Sequence, residues 1–120
     1  MSNINGSHWI RPEKRLAIYM RDSFSCAYCQ ADLRNAEPRQ VTLDHLEPRV
    51  TGGTNDAENL VMACLSCNSA RRDTPWQQFA VKVGAMSDVR RIRWLVSNVL
   101  NIYLARSIID GRGDQIEEAR

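Results

Sequence analysis

The chain has 120 residues, with 16 basic and 14 acidic side chains and a formal net charge of +2. This length suits a single domain, and the near-balance of charge does not indicate a class of partner. The polar N-terminus lacks the apolar segment of a signal peptide, and no apolar run approaches the length of a membrane span. We therefore expect a cytoplasmic protein that makes no membrane contact.

Apolar spacing and turn signals predict short helices around at least one strand. In chain order, we predict a helix beginning at Pro12, a strand over residues 40–46, a capping box over residues 55–58, a helix opening at residues 68–72, a helix from about Trp76 to Gly84, and a long helix from Ser87 to about Ile109 with Gly111 just past its end. The corresponding regions are a loose arm (1–10, with an uninvolved His8), a main domain (11–84), a C-terminal helix on the same domain (85–112) and a frayed tail (113–120).

Two Cys-x2-Cys pairs are the strongest motif in the sequence: Cys26 with Cys29, and Cys64 with Cys67. Four thiolates suit a tetrahedral zinc ion, and four cysteines leave no coordination position for water. The sequence thus predicts a structural zinc site, with the chemistry elsewhere. Disulfides or free buried thiols are the alternative, disfavoured in a reducing compartment.

The segment between the cysteine pairs is unusually polar for a core. It contains the pattern LDHLEPRVTGGTNDAENLVMACLSCNSARR, preceded by RDSFSCAYC with the first cysteine pair. This pattern resembles the HNH endonuclease motif over about residues 15–72. The resemblance implies an α+β fold in which a ββα-metal finger lies inside a four-cysteine zinc frame with flanking helices.

The resemblance also implies a role for each matching residue. His45 matches the general base, and imidazole accepts a proton from water near neutral pH. Asp44 and Asn68 match the ligands of a catalytic divalent ion, which would be Mg²⁺ or Mn²⁺ and prefers oxygen donors. Asn59 matches the asparagine that fixes the loop orienting the base. Tyr28, between two cysteines, is expected only to pack.

One geometric condition must be met. Neighbours in a regular strand point to opposite faces, so Asp44 and His45 can serve one site only if the strand ends or bends there. Taken singly, these residues have common structural explanations that involve no catalysis: a surface Asp-His pair, a loop cap at Asn59 and a helix N-cap at Asn68. Their occurrence in order between two cysteine pairs favours the catalytic interpretation.

Arginine accounts for fourteen of the sixteen basic residues, and its planar fork suits phosphate oxygens. Candidates for nucleic-acid contact lie near the motif and in the final helix: Arg49, Arg71, Arg72, Arg90, Arg91 and Arg93. The apolar face predicted for that helix includes Ile92, Leu95, Val99 and Tyr103. The helix could equally be a solvated scaffold or a homodimer contact through Trp94.

The expected function is hydrolysis of DNA phosphodiester bonds by the His45 base and one divalent ion, and the resemblance implies 5′-phosphate ends. The first alternative is a zinc-containing DNA-binding module without cleavage activity. A thiol redox protein would also explain the cysteine pairs, but it leaves Asp44, His45, Asn59 and Asn68 without a role.

Overall fold

The fold is described for residues 10–84 and 87–118 of a computed structural model, so the predicted arm, including His8, lies almost entirely outside the described residues. The helices and strands in these ranges are α1 (Pro12–Arg21), β1 (Val41–His45), β2 (Leu60–Cys64), α2 (Leu65–Arg71), α3 (Trp76–Val83), α4 (Ser87–Ser97) and α5 (Ile102–Glu118). The α+β class is confirmed, as are the predicted first helix, the strand and the helix that ends near Gly84. None of the described helices is long and apolar enough to cross a membrane.

The centre of the fold is an antiparallel hairpin followed directly by a helix. β1 pairs with β2 so that Val41 lies opposite Cys64 and His45 lies opposite Leu60. The first four residues of β2 are fully buried because the strand packs against α1, α2 and α4. α2 begins at the residue after β2 ends. The order β1–β2–α2 is therefore the ββα unit that the resemblance implied.

Both glycines of the loop between the strands are required by the backbone. Gly52 has a φ of 102°, a conformation that side-chain-bearing residues rarely adopt. A Cβ atom on Gly53 would lie 1.7 Å from the carbonyl oxygen of Glu47, so only glycine allows this close approach. The predicted Gly-Gly turn is thus confirmed, and it folds the chain back beside the end of β1.

A buried ion pair ties the end of α1 to β2. Asp22 is 2% exposed and accepts hydrogen bonds from the Nε of Arg21 at 2.7 Å and from the backbone N–H of Met62 at 2.8 Å. The same guanidinium also donates to the carbonyl oxygens of Ala57 and Leu60. These contacts hold β2 and the loop that precedes it at a fixed distance from α1.

The long C-terminal helix predicted from Ser87 is in fact two helices. The side chains of Ser97 and Asn98 both donate to the carbonyl oxygen of Trp94, and this competes with continued helical bonding. The Oδ1 of Asn101 then accepts from the backbone N–H of Leu104, which caps the start of α5. Short polar side chains therefore end one helix and begin the next.

The break changes which apolar residues are buried. Ile92 and Leu95 lie in the core as predicted, whereas Val99 is 93% exposed and Tyr103 is 85% exposed. The predicted end near Ile109 is also wrong, because α5 continues through Gly111 to Glu118. A glycine inside a helix costs only about 1 kcal/mol relative to alanine, so packing of α5 against α1 can outweigh it.

Candidate active site

The four cysteines come together in one cluster. Their sulfur atoms all lie within 4.8 Å of one another, and the Sγ atoms of Cys29 and Cys64 are 3.8 Å apart. A tetrahedral zinc ion with bonds of about 2.3 Å would hold its sulfurs about 3.8 Å apart. The cluster is therefore compatible with a zinc site, as the spacing predicted.

Local backbone geometry supports metal binding rather than disulfide formation. The N–H of Cys29 points at the sulfur of Cys26 at 3.5 Å, and the N–H of Cys67 points at the sulfur of Cys64 at 3.4 Å. All four cysteines are free of disulfides. Burial and the neighbouring Cys26 thiol raise the pKa of Cys67. Without a cation the Cys67 thiol thus resists deprotonation, and a bound cation would stabilise its thiolate.

A separate depression of about 280 Å³ lies where β1 ends and α2 packs on it. It is lined by Leu43, Asp44, His45, Pro48, Arg49, Asn68, Arg71 and Arg72. The predicted base and both predicted metal ligands therefore share one cavity, called the catalytic cavity below. The geometric condition set by the strand is met because His45 is the last residue of β1.

Asp44 is held by two donors. Its side chain is 8% exposed, and its Oδ2 accepts from the Nη1 of Arg71 at 2.6 Å and from the hydroxyl of Tyr28. No partner for its Oδ1 is found in the described part of the chain. A carboxylate fixed through one oxygen retains the other as a potential metal ligand.

Asn68 is held in a similar way on α2. Its Nδ2 donates to the hydroxyl of Thr42 at 2.9 Å, and that hydroxyl in turn donates to the carbonyl oxygen of Ala63 at 2.8 Å. Thr42 and Asp44 lie two positions apart in β1, so they share the strand face that meets α2. Anchoring Asn68 through its nitrogen leaves the amide oxygen, the atom that a hard cation prefers.

His45 is half-buried, and its Nε2 lies 2.8 Å from the amide oxygen Oδ1 of Asn55. An amide oxygen only accepts hydrogen bonds, so this contact places the imidazole proton on Nε2. Nδ1 is then the nitrogen that can accept a proton. The capping box predicted at residues 55–58 does not form: the 3₁₀ turn Ala57–Asn59 has no side-chain cap, and the Asn55 side chain contacts His45 instead.

Asn59 connects the two sides of the loop between the strands. Its Oδ1 accepts from the backbone N–H of Glu47 at 2.8 Å, and its Nδ2 donates to the carbonyl oxygens of Glu47 at 3.0 Å and Thr54 at 2.8 Å. The side chain therefore bonds the segment just after His45. Asn59 does not line the catalytic cavity. The part in the site that was predicted for it is therefore to position this loop.

The three arginines near the motif differ in exposure. Arg49 and Arg72 are exposed and line the catalytic cavity. Arg71 is 2% exposed, and besides Asp44 it donates to the carbonyl oxygens of His45 at 2.8 Å, Leu46 at 2.7 Å and Thr74 at 2.8 Å. This burial favours a positioning role for Arg71, and the phosphate contact assigned to it from the sequence stays a prediction.

The arginines of α4 also differ from one another. Arg90 and Arg93 are exposed, whereas Arg91 is half-buried and donates to the carbonyl oxygen of Ala27 in the first cysteine pair. The guanidinium of Arg93 lies 6.0 Å from the ring centroid of Trp76. Trp76 lines a second depression, of about 460 Å³, which adjoins the catalytic cavity. Of these three arginines, Arg90 and Arg93 thus present their charge to solvent.

Two residues that hydrogen-bond to the predicted site residues were not predicted to do so. Tyr28 was expected only to pack, and Asn55 was assigned to a helix cap. Burial, together with the negative charge of Asp44 and a hydrogen bond to it, raises the pKa of Tyr28, so its hydroxyl stays protonated and is the donor. Neither contact has a sequence signal, because the partners lie sixteen and ten residues apart.

Comparison with known proteins agrees with this geometry. The family model described as HNH endonuclease matches residues 26–74, which include all four cysteines and the catalytic cavity. The chain is 36% identical over 67 residues to the CRISPR-associated endonuclease Cas9 of Corynebacterium diphtheriae; this stretch is 55% of the chain and 6% of that protein. No solved structure gives a significant match. The similarity to HNH endonucleases therefore extends over residues 26–74, the part of the chain that holds the cysteine cluster and the catalytic cavity.

Proposed function

We propose that the protein is a metal-dependent endonuclease that hydrolyses DNA phosphodiester bonds. The observation that carries this proposal is the catalytic cavity, which gathers Asp44, His45 and Asn68 beside two exposed arginines. The matched family and the Cas9 relative are endonucleases by name. The cytoplasmic location and the homodimer contact through Trp94, which is 62% exposed, stay predictions.

His45 acts as the general base. Asn55 holds the proton on Nε2, so Nδ1 is the atom that takes a proton from the attacking water. Asn59 keeps the adjoining loop in place through three hydrogen bonds, which preserves the direction of the imidazole. A positioned base lowers the barrier only when its accepting atom is within reach of the water, so both asparagines contribute to the rate without touching substrate.

The residues of the cavity suit a hard divalent ion, which would be Mg²⁺ or Mn²⁺. Asp44 and Asn68 would each contribute one free oxygen. Two protein ligands suit an ion that keeps several water molecules in its coordination shell. Such an ion, when bound, stabilises negative charge on the phosphoryl oxygens and on the departing oxygen. The positive charge of the Arg71 guanidinium reduces the attraction of Asp44 for a cation. We therefore expect the divalent ion to bind more tightly when a DNA phosphate is present beside it.

The four-cysteine cluster would hold a structural zinc ion. Its sulfur spacing fits tetrahedral zinc, and all four ligands come from the protein. The thiol redox alternative predicts no stoichiometric metal, so elemental analysis of the purified protein separates the two. We expect about one zinc per chain, in keeping with a single site of four cysteine ligands.

A plasmid assay tests the proposed activity. Purified protein incubated with supercoiled plasmid and Mg²⁺ or Mn²⁺ should produce relaxed or linear DNA, and a chelator that leaves the zinc in place should stop the reaction. Asp44→Asn should raise the metal concentration required, because it removes the only carboxylate among the described residues that line the cavity. Specific binding without cleavage under every metal condition would support the non-catalytic alternative instead.

The exposed arginines supply a second prediction, on DNA affinity. Arg72 lines both depressions, and the guanidinium of Arg93 lies over the ring of Trp76, which lines the second one. Each phosphate contact contributes about 0.9 to the slope of log affinity against log salt. Replacing both with glutamine should weaken binding to all DNA sequences alike and flatten the slope by about 1.8.

A control at an exposed arginine outside both depressions makes this result specific. Arg34 is exposed, pairs with Asp32 at 3.0 Å and lines a different depression, so Arg34→Gln should leave the slope unchanged. Arg91 is left intact in this test because it holds the Ala27 carbonyl at the first cysteine pair. An unchanged salt slope in the Arg72 and Arg93 double variant would contradict the proposed DNA path.

A further inference from the structure

We propose that the hydroxyl of Tyr28 is a positioning group for the catalytic-metal ligand Asp44, and that it couples the cysteine cluster to the catalytic cavity. The inference rests on the proposed function. Tyr28 lies between Cys26 and Cys29 and is 1% exposed, yet its hydroxyl reaches the Oδ2 of Asp44 on β1. A residue of the zinc site thus contacts a residue of the catalytic cavity directly.

Packing explains the ring of Tyr28 but not its hydroxyl. The ring meets Phe79 edge-on, with centroids 5.0 Å apart and planes at 79°. Phenylalanine would make the same contact and would bring no polar atom that needs a partner in the core. The feature that distinguishes tyrosine here is therefore its bond to Asp44.

Two donors converge on one oxygen of the Asp44 carboxylate. The torsion that turns a carboxylate is soft, so a single bond from Arg71 would leave its plane free to rotate. The second bond, from Tyr28, restricts that rotation and keeps the unengaged Oδ1 in one position. Both donors are anchored to the cysteine cluster, since Tyr28 lies within the first pair and Arg71 lies on α2, which contains Cys67.

The test measures metal affinity without cleavage. In a His45→Ala background with duplex DNA bound, Mn²⁺ is titrated and free Mn²⁺ is measured by electron paramagnetic resonance. Tyr28→Phe should weaken Mn²⁺ binding by about tenfold, the lower end of the range for removing an outer-shell partner, because Arg71 still holds Asp44. In the protein with His45 intact, the Mn²⁺ concentration for half-maximal cleavage should rise by a similar factor, while the rate at saturating Mn²⁺ largely recovers.

Tyr19→Phe is the matched control. Tyr19 also packs against the core, but its hydroxyl accepts from Arg15 at 3.0 Å, so the loss of that hydroxyl should leave Mn²⁺ affinity unchanged. Zinc content and melting temperature should match the parent in both variants. These two readouts separate the positioning of Asp44 from a general effect on stability.

Three outcomes would overturn the inference. Parent-like Mn²⁺ affinity in Tyr28→Phe would show that Arg71 alone positions Asp44. Loss of zinc or a large fall in melting temperature in Tyr28→Phe would make the hydroxyl a structural group of the cysteine cluster. A parent complex that binds no Mn²⁺ would overturn the proposed function as well, whereas the first two outcomes leave that function intact.

Discussion

Replacement of His45 by alanine should reduce cleavage by about a hundredfold to ten-thousandfold, the usual cost of removing a general base. Zinc content, fold and DNA affinity should be retained, because the imidazole bonds only to Asn55 among the contacts found for it in the described chain. Cleavage is measured on supercoiled plasmid at saturating metal, and affinity is measured on the same DNA without metal. A lower cleavage rate with unchanged DNA affinity is the result expected if His45 is the general base.

Two further variants sharpen the His45 experiment. His45→Gly leaves space for added imidazole, which should restore part of the rate if a missing base is the defect. His8→Ala, at the other histidine of the chain, should cleave normally. Near-normal cleavage by His45→Ala, or no response of His45→Gly to imidazole, would count against the assignment of the base.

Cys67→Ser should abolish zinc binding and unfold much of the domain. Binding of structural zinc to small domains is worth about 10–16 kcal/mol, which matches or exceeds the usual net stability of about 5–15 kcal/mol. Cys67 is 9% exposed in the first turn of α2, so its loss also disturbs the helix that carries Asn68 and Arg71. The checks are zinc by elemental analysis and the thermal transition by circular dichroism.

Ser66→Ala is the control for this change, because Ser66 lies in the same turn, is exposed and contributes no sulfur. It should keep both the zinc and the melting temperature of the parent. A Cys67→Ser protein with the parent's thermal transition would show that the cluster does not hold the fold together. The contrast with His45→Ala is informative, since that variant should keep zinc and lose only cleavage.

Much of the site could be predicted because its signals are local in the chain. Each Cys-x2-Cys pair chelates from a single turn, so spacing alone identified Cys26, Cys29, Cys64 and Cys67. Gly52 was predictable because a positive φ leaves few other choices of residue. The resemblance to HNH endonucleases placed Asp44, His45 and Asn68 in one site, and the structure shows them lining one cavity.

The C-terminal half shows where local signals were insufficient. Its apolar spacing suits one helix from Ser87 onward, but the side chains of Ser97, Asn98 and Asn101 bond to nearby backbone and divide it. Helix propensities differ by only about 1 kcal/mol or less among most residues. Packing and capping therefore decide whether such a helix continues, and they depend on neighbours that spacing does not reveal.

By itself the sequence determined the cysteine cluster, and its resemblance to HNH endonucleases implied the ββα order and the candidate base and metal ligands. Only the tertiary structure decided how these groups are held. Asn55 sets the protonated nitrogen of His45, and Tyr28 and Arg71 fix the carboxylate of Asp44. The physical reason is that a hydrogen bond between side chains requires its atoms within about 3 Å. For partners ten to twenty-seven residues apart in the chain, that distance is set by how the hairpin, the first cysteine pair and α2 pack together.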